Sequence, residues 1–358
     1  MAPFGKAARS AAAAVCVLLM LHGPAPVKLA AQARGTVVGT GAFTSFVENM
    51  DRTLAFYHDV FEMELPPMPA AGERPYNPSN PRLYAMFHLD LATKERHQSA
   101  RVPGTRLAVE VMEVQNVEHK TIALRMQDPG VAAPVFVVRD IDAALARVKQ
   151  ANASIITTGG SPVLLADRAR AILVRDLDGR PVELLQPASL PENAAPATNN
   201  IVDMKLSITV NDMDRTLHIY RDVLGFTVSD EMANDTTMRA LTGVPKASVR
   251  RARVQVAGSA LAIEFLEFRG VAKTPLQMNI QDRGAARLQL RAENVDALVD
   301  AMKAAGMTVV SDGGVAVPIP PNLKGALVAD PNNFFLTPYA PCDGCATFGR
   351  ANRPATER

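Results

Sequence analysis

Acidic side chains recur at matched positions along this chain of 358 residues. Carboxylates at such positions could ligate a hard metal ion or move protons. Glu264 lies 154 residues after Glu110, and each is followed three positions later by a second glutamate, Glu113 or Glu267. Because strand side chains alternate between faces, only one member of each pair can point into a given cleft. The sequence alone does not decide which one does.

Two cysteines of the tail, Cys342 and Cys345, form a single CxxC motif. In an oxidising compartment this motif is typical of a local disulfide. A thioredoxin-like redox site needs a helix N-terminus after a strand, and a structural zinc site needs a second pair of ligands. The tail offers neither, so we predict a Cys342–Cys345 disulfide without a catalytic role.

The elements that must position these residues belong to a duplication. The run over 51–61 returns over 214–224, which is 163 residues later, whereas Glu110 and the landmarks after it return after 154 residues. The first half therefore carries nine extra residues between its helix and Glu110, and we predict that they form a surface loop. A duplication this regular indicates a repeat architecture.

Each half divides again into two shorter units with the order strand, helix and three strands. In the first unit a β-rich run over 41–47 precedes a helix with apolar residues at helical spacing. In the second unit a strand over 134–138 precedes a helix over 141–151. A Pro/Ala-rich segment over 187–196 separates the halves. The sequence thus predicts an α+β fold of four βαβββ units.

The N-terminus has the pattern of a secretory signal peptide. Lys6 and Arg9 precede an apolar run over 11–21, and the small-residue pattern over 31–33 follows. The apolar run is well short of the roughly 20 residues that a spanning helix needs. We therefore predict cleavage near residue 33 and an exported protein, periplasmic or extracellular.

Charge gives no reason to expect a polyanionic partner. Cleavage would remove Lys6, Arg9 and Lys28 and no acidic residue, so the formal net charge of +2 becomes −1. A nearly neutral chain has no electrostatic basis for binding nucleic acid or an anionic membrane. Neither is predicted as a partner of the mature chain.

The unit order, together with the runs DRTLHIYRDVLGF over 214–226 and DLDGRPVEL over 176–184, resembles the vicinal oxygen chelate superfamily. That superfamily includes glyoxalase I, bleomycin and fosfomycin resistance proteins, and extradiol dioxygenases. The resemblance covers nearly the whole mature chain. It implies that units pair into two domains whose curled mixed sheets enclose clefts. The expected division is a signal peptide over 1–33, domains over 34–190 and 200–340, a linker over 191–199, and a tail with the CxxC motif over 341–358.

The resemblance also implies where a metal would bind, namely on the first and last strands of paired units. The four first-strand positions, none of which carries a metal-ligating side chain, are Ala42, Ala133, Lys205 and Arg287. The four last-strand positions, three of which are glutamates, are Glu110, Glu183, Glu264 and Thr337. The usual metal ligands are therefore largely missing.

For the first half, the resemblance places Glu110 and Glu183 in one cleft. Two carboxylates without histidine make a poor zinc site, and harder ions need additional oxygen ligands. A divalent metal (Mn, Mg, Fe or Zn) would depend on these two glutamates, with His97 as the one histidine able to reach the cleft. The alternative is that both glutamates are half-exposed residues of a wet cleft.

For the second half, the resemblance brings together Lys205, Glu264, Arg287 and Thr337 as a metal-free site. One interpretation is an internal ion network. The other is an anion site, in which Lys205 and Arg287 bind a carboxylate of the ligand. The sequence leaves both open.

The resulting functional prediction is an exported protein that binds a small molecule in a cleft. The enzymatic alternative is a metal-dependent lyase, isomerase or extradiol-type dioxygenase that uses Glu110 and Glu183. A third alternative is an interaction protein whose clefts are filled by their own side chains. Whether the units pair within one chain or across a homodimer stays open.

Overall fold

The computed structural model describes residues 35–77, 81–191, 194, 198–319, 321–342 and 345. These residues belong to one compact unit, Ala33–Arg358. The predicted signal peptide lies outside the described residues. Within the described part of the chain, no helix is long and apolar enough to cross a membrane.

The predicted units are present, and the chain runs through them in order. Unit one contains β1 (Val37–Val47), α1 (Met50–Phe61), α2 (Pro81–Phe87), β2 (Lys94–Arg101) and β3 (Ala108–Gln115). Unit two contains β4 (Ala132–Val138), α3 (Ile141–Gln150), β5 (Val163–Leu164), β6 (Arg170–Arg175) and β7 (Pro181–Gln186).

The second half follows the same order. Unit three contains β8 (Ile201–Val210), α4 (Met213–Leu217), which continues as a π-helical turn over His218–Val223, then β9 (Thr227–Met232), α5 (Met238–Thr242), β10 (Ser248–Gln255) and β11 (Ala262–Arg269). Unit four contains β12 (Ala286–Ala292), α6 (Val295–Ala304), β13 (Thr308–Val309), β14 (Val317–Ile319), β15 (Leu323–Gly325), β16 (Val328–Ala329) and β17 (Phe335–Pro341).

The first helix of each unit begins at a capping side chain that the sequence supplies. Asn49, Asp140, Asp212 and Asn294 each have extended backbone and accept hydrogen bonds from backbone N–H groups of the first turn. Such caps satisfy donors that have no partner inside the helix. Each unit therefore turns from its first strand into its helix in the same way.

The units pair in a nested order. One sheet of nine strands has the order β13-β16-β17-β12-β1-β3-β2, with β14 and β15 attached through β17, and so joins units one and four. The other sheet of eight strands has the order β5-β6-β7-β4-β8-β11-β10-β9 and joins units two and three. Both sheets mix parallel and antiparallel neighbours. The α+β fold class with curled mixed sheets is confirmed.

The nested pairing corrects the expectation that consecutive units share a cleft. Antiparallel contacts between first strands, β1 with β12 and β4 with β8, join the units, so each sheet crosses the expected boundary between 34–190 and 200–340. All four units have an equivalent first strand with a free edge. The repeated sequence therefore does not specify which two first strands pair.

Unit one departs from the common plan in the segment where the extra residues fall. Residues 62–77 are irregular and largely exposed, and the expected second strand is reduced to a bridge between Glu64 and Arg101. After this segment comes α2, whose Tyr84, Met86 and Phe87 are buried. The segment between the first helix and Glu110 is therefore a surface loop followed by a packed helix.

Each sheet has two distinct faces. The helix face packs against α1, α3, α4 or α6 through a continuous apolar core that includes Phe43, Phe136, Leu206 and Leu288. The opposite face is called the cleft face below, because its polar residues include the predicted site residues. Alternation along the strands assigns these two sets to opposite faces.

A buried arginine connects units on the helix side. Arg180, which is 1 % exposed, donates hydrogen bonds to Ser45 Oγ and to the carbonyl oxygens of Ala132, Gly284 and Ala285. Its acceptors come from units one and two and from the strand entry of unit four. A buried cation with this many acceptors fixes the relative position of those segments.

Candidate functional site

On the nine-stranded sheet, the strand register places three side chains in one row across neighbouring strands. Thr44 of β1 is in register with Glu110 of β3 on one side and with Arg287 of β12 on the other. All three side chains point to the cleft face. Thr44, and not Ala42, therefore lies opposite Glu110, and β1 has a bulge between Thr40 and Phe43 on its β12 side.

One carboxylate oxygen of Glu110 accepts three hydrogen bonds. Oε2 accepts from Thr44 Oγ1 at 2.6 Å, from Arg287 Nη2 at 3.1 Å and from Gln289 Nε2 at 3.2 Å. Arg287 Nη1 also donates to Thr337 Oγ1 at 3.3 Å. Within the described residues, Oε1 of Glu110 has no hydrogen-bond partner. It is therefore the free acceptor of this group.

Burial and charge act in opposite directions on this pair. Burial alone would raise the pKa of Glu110, but the charges of Arg287 and His97 and the hydrogen bond from Thr44 hold that pKa below its ordinary value. Arg287 is 5 % exposed, and its guanidinium stacks 4.8 Å from the ring centroid of Phe87. Glu110 is therefore an ionised carboxylate at neutral pH.

A cavity of about 750 Å³ opens at this row of residues and is called the Glu110 cavity. Its polar walls are formed mainly by Glu110, Arg287, Gln289 and Thr337. Its apolar walls come from α2, β3 and the extra strands of unit four, with Leu83, Met86, Met112, Ile319 and Leu323. Apolar walls with a few convergent polar groups are typical of small-molecule sites.

The cavity also contains His97, in agreement with the expectation that this histidine can reach the cleft. His97 Nδ1 lies 3.0 Å from Glu95 Oε2 and 3.4 Å from Asn77 Nδ2. The hydrogen bond with Glu95 is the main cause that raises the pKa of His97 above its ordinary value, against the effect of burial. Glu95 thus positions the imidazole on the cavity wall.

The residues present do not fit a divalent metal at the positions that the family uses. The only carboxylate of the central row is Glu110, and the Arg287 cation lies 3.1 Å from it. Within the described ranges, no group of three His, Cys, Asp or Glu side chains is placed to hold a metal ion. A fixed guanidinium beside the single anionic ligand repels a divalent cation. At the central row, the residues therefore offer hydrogen bonds rather than metal ligands.

The eight-stranded sheet repeats the same row with other side chains. Ser207 of β8 is in register with Glu264 of β11 and with Ala133 of β4. Ser207 corresponds to Thr44, Glu264 to Glu110, and Ala133 to Arg287. The neighbouring row contains Glu183, Val135 and Lys205. We call this region the Glu183 cleft.

Glu264 receives its positive charge from a different strand. Arg251 Nη2 donates to Glu264 Oε1 at 2.7 Å, and Arg253 Nη2 lies 3.4 Å from the same oxygen. The other end of Arg251 donates to Asp235. Arg251 lies 154 residues after His97, so the guanidinium takes the position that the imidazole has in the Glu110 cavity.

Glu183 is 5 % exposed, and no hydrogen bond or ion pair reaches it within the part of the chain that is described. Burial, followed by the charge of Glu264, raises the pKa of Glu183 to about 8, although Arg251 and Lys205 act in the opposite direction. Ser207 Oγ is also buried without a partner. Glu183 is therefore protonated at neutral pH.

Apolar side chains fill the Glu183 cleft. The buried cluster on this face includes residues from the loop before β4, from unit two and from α5, namely Leu124, Met126, Leu165, Met238 and Leu241. They pack on the apolar neighbours of Glu183, such as Leu173 and Leu185. The two clefts therefore differ in packing as well as in charge.

The structure regroups the residues that the sequence predicted. Glu110 and Glu183, expected in one metal site, lie on different sheets. Lys205 and Arg287, expected together in an ion network or an anion site, are also on different sheets. The reason is the nested pairing of the units, which places Arg287 and Thr337 with Glu110, and Lys205 and Glu264 with Glu183.

The question left open by the paired glutamates has a clear answer. Glu110 lines the cavity, whereas Glu113 points to the other face and accepts hydrogen bonds from Met50 N at 2.9 Å and from Arg96 Nη2 at 2.7 Å. Glu267 likewise contacts a surface arginine, Arg269, at 2.7 Å. Glu113 and Glu267 are therefore buried charges with protein partners outside the clefts.

Several residues of the site escaped the sequence analysis. Thr44, Gln289 and Arg251 bind the two central glutamates, and Met86 forms a cavity wall. A signal for the first was available, because Thr44 and Ser207 are hydroxyl residues at the repeat distance of 163. No repeated pattern points to Gln289 or Met86.

The tail is tied back to the fold near α2. Cys342 and Cys345 are joined in a disulfide, and Arg82 of α2 donates to the carbonyl oxygen of Cys345 at 3.0 Å. Neither cysteine lines the Glu110 cavity, but Cys342 N donates to the carbonyl oxygen of Asn322 at 2.8 Å, next to the cavity residue Leu323. Its contacts support a structural role.

Solved structures similar to this chain include a glyoxalase I and a putative dioxygenase. Glyoxalase I from Zea mays has a TM-score of 0.54 at 16 % identity, with 85 % of this chain and 92 % of that chain covered. A putative dioxygenase from Bacillus subtilis has a TM-score of 0.50 at 12 % identity, with 87 % and 88 % covered. At these identities the likeness concerns the fold. No curated protein gives a significant sequence match.

The sequence profile of one family matches both halves of the chain, over residues 39–184 and 202–316. These ranges contain nearly all of the four first strands and most of the residues of both clefts. The repeated units, the paired curled sheets and this match lead to the same conclusion. The chain belongs to the Glyoxalase/Bleomycin resistance protein/Dioxygenase superfamily.

Proposed function

We propose that this protein binds a small organic molecule in the Glu110 cavity, and that the molecule has an apolar body and a hydrogen-bond donor at one end. The observation that carries the proposal is the free Oε1 of an ionised Glu110 at the polar end of a cavity of about 750 Å³. A hydroxyl, amide N–H or ammonium group of the ligand would donate to this oxygen.

The same geometry disfavours an anionic ligand. Both terminal nitrogens of Arg287 already donate within the protein, to Glu110 and to Thr337. A ligand carboxylate placed at Oε1 would meet the negative charge of Glu110 without a free cation to offset it. This differs from the anion site that the sequence suggested for Arg287 and Lys205.

The state of Glu110 also favours binding over turnover. Its lowered pKa makes it a weak proton acceptor, and an ionised carboxylate has no proton to donate at neutral pH. The donor set does not fit a metal. Binding without chemistry is compatible with a family whose name includes a resistance protein.

We also propose that binding takes place outside the cytoplasm. The support is the signal-peptide pattern of residues 1–33 together with the Cys342–Cys345 disulfide, since disulfides persist in oxidising compartments. Sequencing the N-terminus of the protein recovered from the exported fraction would show cleavage near residue 33. An uncleaved protein in the cytoplasmic fraction would contradict export.

Two fluorescent probes with the same apolar body test the binding site. We expect the mature chain to bind 2-naphthol at least about tenfold more tightly than 2-naphthoate, because only the former donates to an ionised carboxylate. Titration calorimetry at neutral pH measures both affinities. Equal or tighter binding of the carboxylate would refute the proposed ligand class.

Two tryptophan variants locate the binding event. Leu323→Trp fills the cavity from a half-buried wall position and should abolish naphthol binding. Leu164→Trp adds the same bulk to an exposed leucine of the other sheet, which is 64 % exposed, and should leave the affinity unchanged. Unaltered binding by a folded Leu323→Trp protein would place the ligand elsewhere.

A further inference from the structure

A second pocket lies at the junction of units two and three, and its walls share no residue with the Glu110 cavity. It has a volume of about 500 Å³ and is called the Arg175 pocket. Arg125 precedes β4, Arg175 ends β6, and Lys246 follows α5. Ile156 and Val244 supply apolar surface beside these cations.

Arg175 is held in place by only one of its nitrogens. Nη1 donates to the carbonyl oxygens of Leu124 at 3.0 Å and Gly179 at 2.6 Å. Within the described residues, Nε and Nη2 have no partner and Arg175 has no ion pair. Burial lowers the pKa of Arg175, and the charge of Asp176 only partly offsets this effect. The guanidinium is thus fixed and half-buried, with two donors free.

Nearby acids do not neutralise Arg175. The carboxylate of Asp176 is occupied by Tyr57 Oη at 3.0 Å and by the backbone N–H groups of Asp178 and Arg180 at 3.0 and 2.9 Å. A fixed cation without a counter-ion in a cavity favours an anionic ligand.

The remaining charges of the pocket are also positive on balance. Arg125 forms two hydrogen bonds with Asp128, at 2.7 and 2.8 Å, and this pair is neutral. Lys246 is exposed and forms no ion pair in the described part of the chain. Arg175 and Lys246 are therefore two uncompensated cations on one pocket.

The internal repeat supplies a comparison. A pocket of about 520 Å³ lies at the equivalent place in the other half and is lined by Asn279, Gln281 and Ala329. These residues correspond, at the repeat distance of 154, to Arg125, Gln127 and Arg175. The duplication has retained a pocket at both places, and in unit two it carries cations where the copy has an amide and a methyl group.

We propose that the Arg175 pocket binds a small organic anion, a carboxylate or phosphate monoester with a short apolar group. The oxyanion would accept two hydrogen bonds from Nε and Nη2 of Arg175, in the bidentate geometry that guanidinium groups favour. Lys246 would contribute a second positive charge, and the apolar group would contact Ile156 and Val244. This site is separate from the proposed function of the Glu110 cavity.

Phenyl phosphate is the test ligand, and phenol is its neutral control. We expect the full mature chain to bind phenyl phosphate in calorimetry at low salt, with an affinity that falls as salt is added, and to bind phenol far more weakly at this site. Leu323→Trp, which blocks the Glu110 cavity, should leave phenyl phosphate binding unchanged. Loss of phenyl phosphate binding in that variant, or equal affinity of that variant for phenol and phenyl phosphate, would overturn the proposal.

Charge variants identify the residues involved. Arg175→Gln should weaken binding about tenfold or more, as expected for loss of a charged bidentate contact. Lys246→Gln should weaken it about threefold. Lys303→Gln removes one exposed charge from α6 and is the matched control, with no specific effect expected.

The outcomes separate a site from general attraction. A folded Arg175→Gln protein that binds phenyl phosphate as tightly as the wild type would refute the assignment. If Arg175→Gln fails to fold, the pair Lys246→Gln and Lys303→Gln decides, because equal effects of these two changes would mean attraction by net charge alone.

Discussion

The Glu110 cavity and the Glu183 cleft are two copies of one site that balance their charges in different ways. In the first, the row of Arg287, Thr44 and Glu110 places the cation across the strand from the carboxylate. In the second, Ala133 replaces this cation, and Arg251 reaches Glu264 from the neighbouring strand β10. Both copies therefore pair the central glutamate with an arginine, but this arginine comes from β12 in the first copy and from β10 in the second.

The two copies also teach what keeps a cleft open. In unit one α2 contributes Met86 and Leu83 to a wall, and a cavity opens beside them. In unit three α5 contributes Met238 and Leu241 to a buried cluster with Leu124. The short helix of each odd unit thus either borders its cleft or helps to fill it.

The largest expected effect is the loss of the cation from the open copy. Arg287→Met leaves the ionised Glu110 buried with only neutral donors, and we expect a loss of about 3 kcal/mol in the free energy of unfolding at pH 7. Urea denaturation measures this quantity. Adding Glu110→Gln should recover part of the loss, because the unpaired charge is then removed.

The matched control for that change is on the same strand. Arg291→Met replaces an exposed arginine of β12, which donates to the carbonyl oxygen of Val38, and should cost less than about 0.5 kcal/mol. If Arg287→Met lowered the free energy of unfolding no more than Arg291→Met, the Arg287–Glu110 ion pair would not be a main contribution to the stability of the Glu110 cavity.

The next largest effect is a difference between the two copies in how pH affects stability. The raised pKa of Glu183 means that the folded protein retains a proton that the unfolded chain releases, so stability should fall as pH rises from about 5 to 8, by at most about 1.4 kcal/mol per pH unit. Glu183→Gln should flatten this decline and be more stable than the wild type by about 2 kcal/mol at pH 8. Urea denaturation across this range measures it.

Glu110→Gln is the control for the pH experiment. The lowered pKa of Glu110 places its contribution at the other end of the scale, present above its ordinary pKa and lost as pH falls below it. This variant should therefore keep the decline between pH 5 and 8. If the decline in stability disappeared in Glu110→Gln and persisted in Glu183→Gln, the raised pKa would belong to Glu110 and not to Glu183.

The smallest effect concerns Lys205, the residue that replaces Ala42 in the filled copy. Because Lys205 is half-buried and forms no ion pair with the described residues, Lys205→Met should change the free energy of unfolding at pH 6 by less than about 1 kcal/mol. Its charge lowers the pKa of Glu183, so the variant should also move the decline in stability to higher pH. A loss above about 2 kcal/mol would show that Lys205 has a buried partner.

Much of the fold could be predicted because its signals are local. The first helix of unit one, for example, follows from a capping Asn49 and from apolar residues such as Leu54, Tyr57 and Val60 at helical spacing. The repeat then extended the same interpretation to the other units. Local signals carry no information about contacts between segments that are distant in sequence, so the pairing of β1 with β12 could not be predicted.

The site shows the same limit at the level of single residues. The residues alone did not decide between Glu110 and Glu113, and the partner of Glu110, Arg287, was assigned to another cleft. The contact on β1 is also made by Thr44 and not by Ala42, because the β1–β3 register sets Thr44 opposite Glu110. Charge partners depend on which strands meet, and this is a property of the tertiary fold.

The nested pairing also affects the order in which the chain can fold while it is being made. The sheet of units two and three is complete in sequence once β11 has emerged, whereas β1 must wait for β12 before its second edge is covered. Contacts this distant in sequence form slowly, and uncovered strand edges invite wrong partners. Unit one is therefore the part of the nascent chain whose strand edge stays exposed longest. If β12 were delayed, the β1 edge of one copy would pair with β12 of another copy, which is domain swapping.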